Sequence, residues 1–279
     1  MSPATLAAPR TLTPSEIAQW RELGYVAIPD FFDAAQVRAM QAEVRRLQDD
    51  GKLRNVATTG DGKTTSTTAF NLQICPAAPI SRLIRSLPYD PRVIAAVRAL
   101  LGDPVLFYLD QIFLKPAQHG AGTGWHTDNA YFNSPVVTQG TGMWIAINDA
   151  NKENGTMRVI PRSYLMGLDG RHVRDPSSDH HITCAHLVEE KDAVHIEIPA
   201  GGVLFFNYGT AHATGGNQTA HDRAALAYHF MRADADNPYY RNAYENTRLH
   251  LTGTWADGGA AYWKEDLTRA FAEEVAKNA

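Results

Sequence analysis

The chain has 279 residues, of which 44% are hydrophobic and 20% are charged. This composition is typical of a globular protein with a core of ordinary size, and it excludes intrinsic disorder. The formal net charge of -4 argues against a surface whose main role is to bind nucleic acid or another polyanion.

The two cysteines, Cys75 and Cys184, form no Cys-x-x-Cys pair, which argues against thiolate zinc sites and iron–sulfur clusters. A count of two leaves a single disulfide open but does not indicate a disulfide scaffold. The N-terminus has no apolar stretch of signal-peptide length. No window approaches the roughly 20 apolar residues of a membrane span. We therefore expect a soluble, cytoplasmic protein, and the sequence does not indicate its oligomeric state.

The first hundred residues read mainly as helices. Capping signals and apolar spacing predict helices over about 13–24, 33–51 and 90–102. A short strand is expected within 25–32. The segment 54–71 is polar and rich in Thr and Gly, which predicts a long loop that acts as a lid or a binding loop.

The pattern changes after residue 104 to short runs rich in strand-forming residues. These runs are VLFYLDQIFLK, GMWIAIND, GTMRVIP, AVHIEIP, GVLFFNY and RAALAYHFM. Many short strands with little helix between them favour an antiparallel sandwich or barrel. A last helix is expected over about 261–277. We predict one domain over 1–279, with a helical part over about 13–102, a β-sandwich core over about 104–232 and a C-terminal helical extension over about 233–279.

Two segments have the spacing His-x-acidic, His126-x-Asp128 and His195-x-Glu197. On a strand this spacing places both side chains on one face, as a metal site requires. With 11 histidines and 30 acidic residues in the chain, about one such match arises by chance. The first pair follows a strand among Gly and aromatic residues, where a loop can open onto a cavity. The second pair lies on an alternating strand whose polar side chains are expected to face water.

A third ligand and a carboxylate-binding group follow later in the chain. His212 comes after an apolar strand and completes a set of two histidines and one carboxylate, which is typical of non-haem Fe(II). Arg223 begins the next strand, and a guanidinium at the mouth of a barrel holds a carboxylate through two parallel hydrogen bonds. The co-substrate 2-oxoglutarate needs such a group. Thr214 offers a hydroxyl donor to the same carboxylate.

These segments resemble the phytanoyl-CoA dioxygenase family of Fe(II)- and 2-oxoglutarate-dependent oxygenases. The resemblance rests on GWHTDNAYF, MWIAINDANKENGTMRVIP and GTAHATGGNQTAHDRAAL and spans roughly 111–231. It implies a double-stranded β-helix, the jelly-roll or cupin-like barrel, buttressed by N-terminal helices. The implied site consists of the catalytic iron ligands His126, Asp128 and His212, the carboxylate-binding Arg223 and Thr214, and the co-substrate pocket residues Trp144 and Gln111.

The resemblance also implies a reaction in which O2 activation is coupled to decarboxylation of 2-oxoglutarate to succinate and CO2. The expected outcome is hydroxylation of a small molecule such as a secondary metabolite. Desaturation, ring formation and demethylation would use the same iron site. Halogenases of the family replace the carboxylate ligand, so Asp128 disfavours halogenation. No basic cluster suited to a CoA phosphate stands out, which favours a free small molecule.

Two other function classes stay open on the sequence alone. A zinc hydrolase or a cupin-like isomerase would use the same three ligands, and a non-catalytic binding module would keep them as a vestigial site. For the remaining candidates, we expect a solvated strand end at Lys115, a hydrogen-bonded core histidine at His229, and surface residues at His172, His180 and His181.

Overall fold

The computed structural model describes residues 11–235, 237 and 240–278. The N-terminal ten residues, together with positions 236, 238, 239 and 279 of the predicted C-terminal extension, lie outside the described residues. The helices are α1 Pro14–Leu23, α2 Ala34–Asp49, α3 Arg82–Ser86, α4 Pro91–Leu101, α5 Asn129–Phe132, α6 Ala260–Trp263 and α7 Ala270–Lys277. The strands are β1 Tyr25–Ile28, β2 Arg54–Asn55, β3 Leu72–Ile74, β4 Val105–Lys115, β5 Thr123–His126, β6 Gly140–Ala146, β7 Met157–Val159, β8 Val173–Arg174, β9 Ile182–Thr183, β10 Val194–His195, β11 Val203–Asn207, β12 His212–Thr214, β13 Arg223–Arg232 and β14 Leu249–His250.

The three predicted N-terminal helices are confirmed, and their caps are those that the sequence indicates. Thr13 and Glu16 form a reciprocal capping box at the start of α1, which ends at Gly24 in the left-handed conformation. Asp33 and Gln36 form a second capping box at the start of α2, and the Asp90 carboxylate caps α4 by accepting a hydrogen bond from the Arg92 N–H. The short helix α3 was not predicted, because five residues give too short a pattern to recognise.

A large antiparallel sheet forms the centre of the molecule. Among the described residues its strands follow the order β1-β11-β6-β13-β4-β3-β2, and β14 also pairs with β4. The two longest strands, β4 and β13, lie side by side over most of their length. One face of this sheet packs under the helices, where Met40 of α2 and Val97 of α4 share a core with Ile145, Leu226 and Ile112.

A smaller antiparallel sheet, in the order β10-β7-β12-β5, covers part of the opposite face. Trp144 and Phe206 of the large sheet share a core with Met157 and Val159 of the small one. The two sheets form a sandwich, and in the described part of the chain they are not joined into a closed barrel. This arrangement confirms the predicted fold class, a mainly β jelly roll with flanking helices.

The predicted loop over 54–71 packs against a second excursion of the chain, the segment 172–183. Ala57 and Ser178 form a β-bridge between them, and the Arg54 guanidinium forms an ion pair with Asp179. The loop therefore supports the segment that carries His180 and His181 at the edge of the sandwich. Its role as a lid stays a prediction.

The C-terminal part differs from the single helix predicted over about 261–277. It contains the two short helices α6 and α7, and α6 ends at Lys264, whose backbone is left-handed with φ 61°.

Within the described ranges no helix combines the length and the apolar character that crossing a bilayer requires.

A buried carboxylate, that of Asp110 on β4, ties two outer segments to the sheet. Its Oδ2 accepts hydrogen bonds from the backbone N–H groups of Ala77 at 2.7 Å and Ala78 at 3.0 Å. Its Oδ1 accepts a hydrogen bond from the Tyr244 hydroxyl. These bonds connect the segment before α3 and the C-terminal part to the centre of the fold.

We predict that Asp110→Ala lowers the free energy of unfolding by about 3 kcal/mol, because it leaves buried N–H groups without an acceptor. Urea denaturation measures the change. Asp50→Ala, which removes an exposed carboxylate at the end of α2, is the control. A loss for Asp110→Ala below about 1 kcal/mol would contradict this account of the carboxylate.

Candidate metal centre

Strand pairing in the small sheet brings the two predicted histidine ligands together. β5 and β12 are antiparallel neighbours, and their register places His212 opposite His126. The imidazole centroids are 4.2 Å apart. Asp128 reaches the same place, and one ligand atom from each of the three side chains lies within 4.8 Å of the others.

The path of the chain to Asp128 differs from the expected one. The spacing of His126 and Asp128 predicted two side chains on one strand face, but β5 ends at His126. Asp128 has helical dihedral angles, φ -63° and ψ -30°, and begins the short helix α5. A turn, and not strand periodicity, therefore brings the carboxylate beside the two imidazoles.

Backbone carbonyls fix the orientation of both imidazoles. His126 Nδ1 lies 2.8 Å from the Gly124 oxygen, and His212 Nδ1 lies 3.0 Å from the Thr210 oxygen. A carbonyl only accepts, so each Nδ1 carries the proton and each Nε2 is left with a free lone pair. Burial lowers the pKa of both histidines to about 4, so both are neutral at pH 7, as metal ligands must be.

The Asp128 carboxylate is buried at 6% exposure and is incompletely satisfied. Its Oδ1 lies 3.5 Å from His212 Nε2, and its Oδ2 has no hydrogen-bond partner among the described residues. Burial raises the pKa of Asp128. A buried carboxylate beside two neutral imidazoles lacks a cation, and the donor set of two nitrogens and one oxygen fits Fe(II).

The Arg223 guanidinium lies in the same cavity and is 1% exposed. Its Nη2 donates to the Gly155 carbonyl at 2.6 Å, and its Nε donates to the Asn154 carbonyl at 3.4 Å. Its carbon Cζ lies 5.5 Å from the ring centroid of Trp144. Nη1 has no partner among the described residues, so a fixed cation keeps one donor free. Burial lowers the pKa of Arg223 to about 9.

The turn that holds this guanidinium requires glycine. Gly155 has φ 79°, in the left-handed region, and a Cβ atom there would lie 2.3 Å from the Gly215 carbonyl oxygen. The Asn154-Gly155 pair therefore allows two backbone segments to approach closely beside Arg223. This close approach explains why the sequence has glycine after Asn154 at this turn.

All seven predicted site residues line one cavity of about 190 Å³ between the two sheets. Thr214 faces it from β12, and its Oγ1 accepts a hydrogen bond from the Thr123 N–H at 3.1 Å. The seven residues are His126, Asp128, His212, Arg223, Thr214, Trp144 and Gln111. The structure thus brings together every residue that the sequence assigned to the site.

The prediction of a solvated strand end at Lys115 is wrong. Strand β4 continues to this residue and pairs it with Arg223, so Lys115 is 2% exposed and lines the cavity. Its Nζ donates to the Ala121 carbonyl. Neither Lys115 nor Arg223 forms an ion pair with a carboxylate in the described ranges. Burial and the nearby Arg223 charge lower the pKa of Lys115 well below its usual value. Side chains alternate between the two faces of a strand, so Lys115, four residues after Gln111 on β4, lies on the same face as Gln111. This alternation was the signal in the sequence that could have placed Lys115 at the cavity.

Three histidines that were assigned elsewhere belong to the surroundings of the site. His229, expected to be a hydrogen-bonded core residue, has an unpartnered Nδ1 that lies 3.4 Å from Asp128 Oδ2. His172, expected at the surface, accepts a hydrogen bond from the Thr127 N–H at 3.0 Å. His181 lines the cavity with its ring parallel to that of His126, at 6.4 Å between centroids. His229 shares the strand parity of Arg223, so an approach to the pocket was an open alternative for it, whereas the sequence context of His172 and His181 gave no signal.

The second His-x-acidic pair remains apart from the cavity. His195 lies on β10, and the exposed Glu197 accepts a hydrogen bond from the Lys152 N–H. Neither residue lines the cavity. The exposed position of Glu197 agrees with the expected solvent-facing strand.

Comparison with known proteins identifies the family. A sequence model of the family described as phytanoyl-CoA dioxygenase (PhyH) matches residues 20–225. The phytanoyl-CoA dioxygenase domain-containing protein 1 of Mus musculus is 26% identical over 265 residues, which cover 80% of this chain and 91% of that protein.

Two solved structures share the fold. The non-haem α-ketoglutarate-dependent carbocyclase SnoK from nogalamycin biosynthesis aligns with a TM-score of 0.68 and 23% identity, covering 82% of this chain and 88% of SnoK. EctD from S. alaskensis, crystallised with 2-oxoglutarate and 5-hydroxyectoine, aligns with a TM-score of 0.63 and 22% identity, covering 83% of this chain and 79% of EctD. With its matching sequence, fold and donor set, the chain belongs to the phytanoyl-CoA dioxygenase family of 2-oxoglutarate-dependent non-haem iron dioxygenases, which confirms the expected enzyme class and the expected Fe(II), 2-oxoglutarate and O2.

Proposed function

We propose that this chain binds one Fe(II) through His126, Asp128 and His212 and oxidises a small molecule at the expense of 2-oxoglutarate. The observation that carries the proposal is the convergence of these three side chains and an unpaired Arg223 on one cavity. Each of the four groups has an unused donor or acceptor that the bound metal or co-substrate would satisfy.

The roles of the ligand residues follow from their hydrogen bonds. The Gly124 and Thr210 carbonyls hold the rings of His126 and His212 so that each Nε2 faces the metal position. Such orientation reduces the reorganisation needed when a metal binds. His126, Asp128 and His212 would hold the ion and would leave it accessible to the keto-acid end of 2-oxoglutarate and to O2.

Two buried basic groups support a dianionic co-substrate. The guanidinium of Arg223 and the amine of Lys115 are both buried, face the same cavity and have no carboxylate partner in the part of the chain that the structure describes. Buried cations are expensive unless an anion pairs with them. We assign the far carboxylate of 2-oxoglutarate to this pair, with Nη1 of Arg223 as one donor.

Three further residues complete the co-substrate pocket in this proposal. The Thr214 hydroxyl, which accepts from the Thr123 N–H, donates its own O–H to the same carboxylate. The ring of Trp144 packs beside the guanidinium and limits its movement. Gln111 lies on the same face of β4 as Lys115 and offers an amide to the bound acid.

The bound iron and 2-oxoglutarate would supply O2 activation, with decarboxylation to succinate and CO2. The protein would contribute a largely apolar chamber, whose walls include Phe113, Met157 and Phe206, to keep bulk water from the reacting atoms. Hydroxylation is the proposed outcome. It is the outcome that EctD with bound 5-hydroxyectoine suggests, whereas SnoK is named a carbocyclase, so the same fold serves other outcomes.

The remaining lining residues of the cavity support a small-molecule substrate. Leu109, Tyr131 and Phe132 supply apolar and aromatic surface, and His180 and His181 supply polar groups. The cavity of about 190 Å³ must hold the co-substrate as well. We therefore propose a compact substrate, or a larger one that places only its reacting part inside, such as a secondary metabolite.

The first prediction concerns turnover of the co-substrate. Purified protein supplied with Fe(II), ascorbate, O2 and 2-oxoglutarate should form succinate even without its true substrate, because the iron site alone supports uncoupled decarboxylation. Chromatographic quantification of succinate measures this. No succinate, together with tight zinc binding and no 2-oxoglutarate-induced absorption band, would favour a zinc hydrolase instead.

The second prediction concerns the ligands. His126→Ala and His212→Ala should each weaken Co(II) binding by more than about 100-fold, beyond the loss expected for a residue that only orients a ligand. His195→Ala, which alters the other His-x-acidic pair, should bind Co(II) like the unmodified protein. Titration followed by visible absorption measures all three. Unchanged binding in His212→Ala would exclude this ligand set.

The third prediction concerns the carboxylate clamp. Arg223→Leu should weaken binding of 2-oxoglutarate by about 2–5 kcal/mol, because it removes a buried charged donor. Lys115→Met should weaken it by about 1.5–3 kcal/mol. Neither change should affect 2-oxopentanoate, which lacks the far carboxylate.

Calorimetric titration of the Mn(II)-loaded protein separates the two acids. Lys52→Met removes an exposed lysine and is the matched control for charge. If Arg223→Leu weakened both acids equally, the guanidinium would not contact the far carboxylate.

A further inference from the structure

The two oxygens of the Asp128 carboxylate face different histidines. Oδ1 lies 3.5 Å from Nε2 of His212, the nitrogen that is free to bind the metal. Oδ2 lies 3.4 Å from Nδ1 of His229. Oδ1 therefore faces a nitrogen of the ligand set, and Oδ2 faces a histidine outside that set.

Both atoms of the second contact lack any other partner. Asp128 Oδ2 and His229 Nδ1 are buried, and neither has a hydrogen bond within the described ranges. Their residues are 6% and 4% exposed. A buried acceptor and a buried donor left facing each other at 3.4 Å need only a small movement to form a hydrogen bond.

The surroundings of His229 hold its ring in place. It lies on β13, and its ring packs edge-on against Phe132 at 5.0 Å and beside Tyr208 at 6.1 Å. A register shift in the pairing of β13 with β4 occurs between His229 and Phe230. Such irregularities re-aim side chains near functional sites, and this one occurs where the imidazole meets Asp128.

We propose that His229 is a positioning residue, which donates a hydrogen bond from Nδ1 to Asp128 Oδ2 and keeps Asp128 bound to the metal through Oδ1 alone. The inference rests on the proposed iron site. A carboxylate that is free to rotate can bind through both oxygens and occupy a position that the co-substrate or O2 needs. The imidazole would prevent this by engaging the second oxygen.

Two amide substitutions separate hydrogen bonding from packing. The amide nitrogen of Asn stands the same number of bonds from Cα as Nδ1 of histidine, whereas that of Gln stands one bond farther. His229→Asn should therefore restore the donor, and His229→Gln should place it wrongly. His229→Leu replaces the imidazole with an apolar side chain of similar size that has no hydrogen-bond donor. His250→Leu is the control, since His250 also has an unpartnered Nδ1 but does not line the cavity.

The readouts are the Co(II) dissociation constant and the visible Co(II) spectrum, which reports the number and geometry of ligands. His229→Leu and His229→Gln should weaken Co(II) binding by about 10–100-fold and change the spectrum, as expected when the partner of a metal ligand is removed. His229→Asn should recover both, and His250→Leu should match the unmodified protein. Thermal denaturation of each metal-free variant identifies any that fails to fold.

The possible failures are distinguishable. If the unmodified protein binds no Co(II), the proposed iron site is wrong and the role of His229 falls with it. If the unmodified protein binds Co(II) and a folded His229→Leu variant has the same affinity and spectrum, only the role of His229 is wrong. Equal losses in His229→Asn and His229→Leu would also overturn it, since they would indicate packing or direct coordination.

Discussion

The antiparallel register between β5 and β12 is the constraint on which the site depends. It places His212 opposite His126, although the two residues lie far apart along the chain. A slip of one residue would turn one imidazole to the opposite face of the sheet and separate the pair. The turn into α5 then needs only to bring Asp128 alongside. The core between the two sheets, built around Trp144 and Met157, holds the small sheet against the large one and so keeps the ligands facing the clamp.

The cavity concentrates charge and polar atoms that the protein alone leaves unsatisfied. Asp128 has an unpartnered oxygen, and Lys115 and Arg223 are buried without an anion in the described part of the chain. Such groups reduce the stability of the empty protein. A divalent cation and a dianionic acid would together satisfy them. Binding of these ligands should stabilise the fold by mass action. The site is specific for the pair of ligands, because neither the cation nor the acid alone would balance its charges.

Much of this organisation could be predicted from the sequence. Capping residues determined the three main N-terminal helices, and short apolar runs indicated the strands. The seven site residues came from motif spacing and family resemblance. Contacts that depend on tertiary structure could not be predicted. The burial of Lys115 depends on how far β4 extends, and the approach of His229 to Asp128 accompanies an irregularity in β13. The positions of His172 and His181 depend on an irregular loop, for which strand or helix periodicity gives no signal.

The central claim is that one metal ion and one molecule of 2-oxoglutarate meet between these sheets. A crystal structure of the protein with Fe(II) and 2-oxoglutarate, grown without O2 and with anomalous data at the iron edge, tests it most directly. We predict one iron peak bound by His126, Asp128 and His212, with the far carboxylate of 2-oxoglutarate at Arg223. An iron peak elsewhere, or a far carboxylate remote from Arg223, would contradict the account.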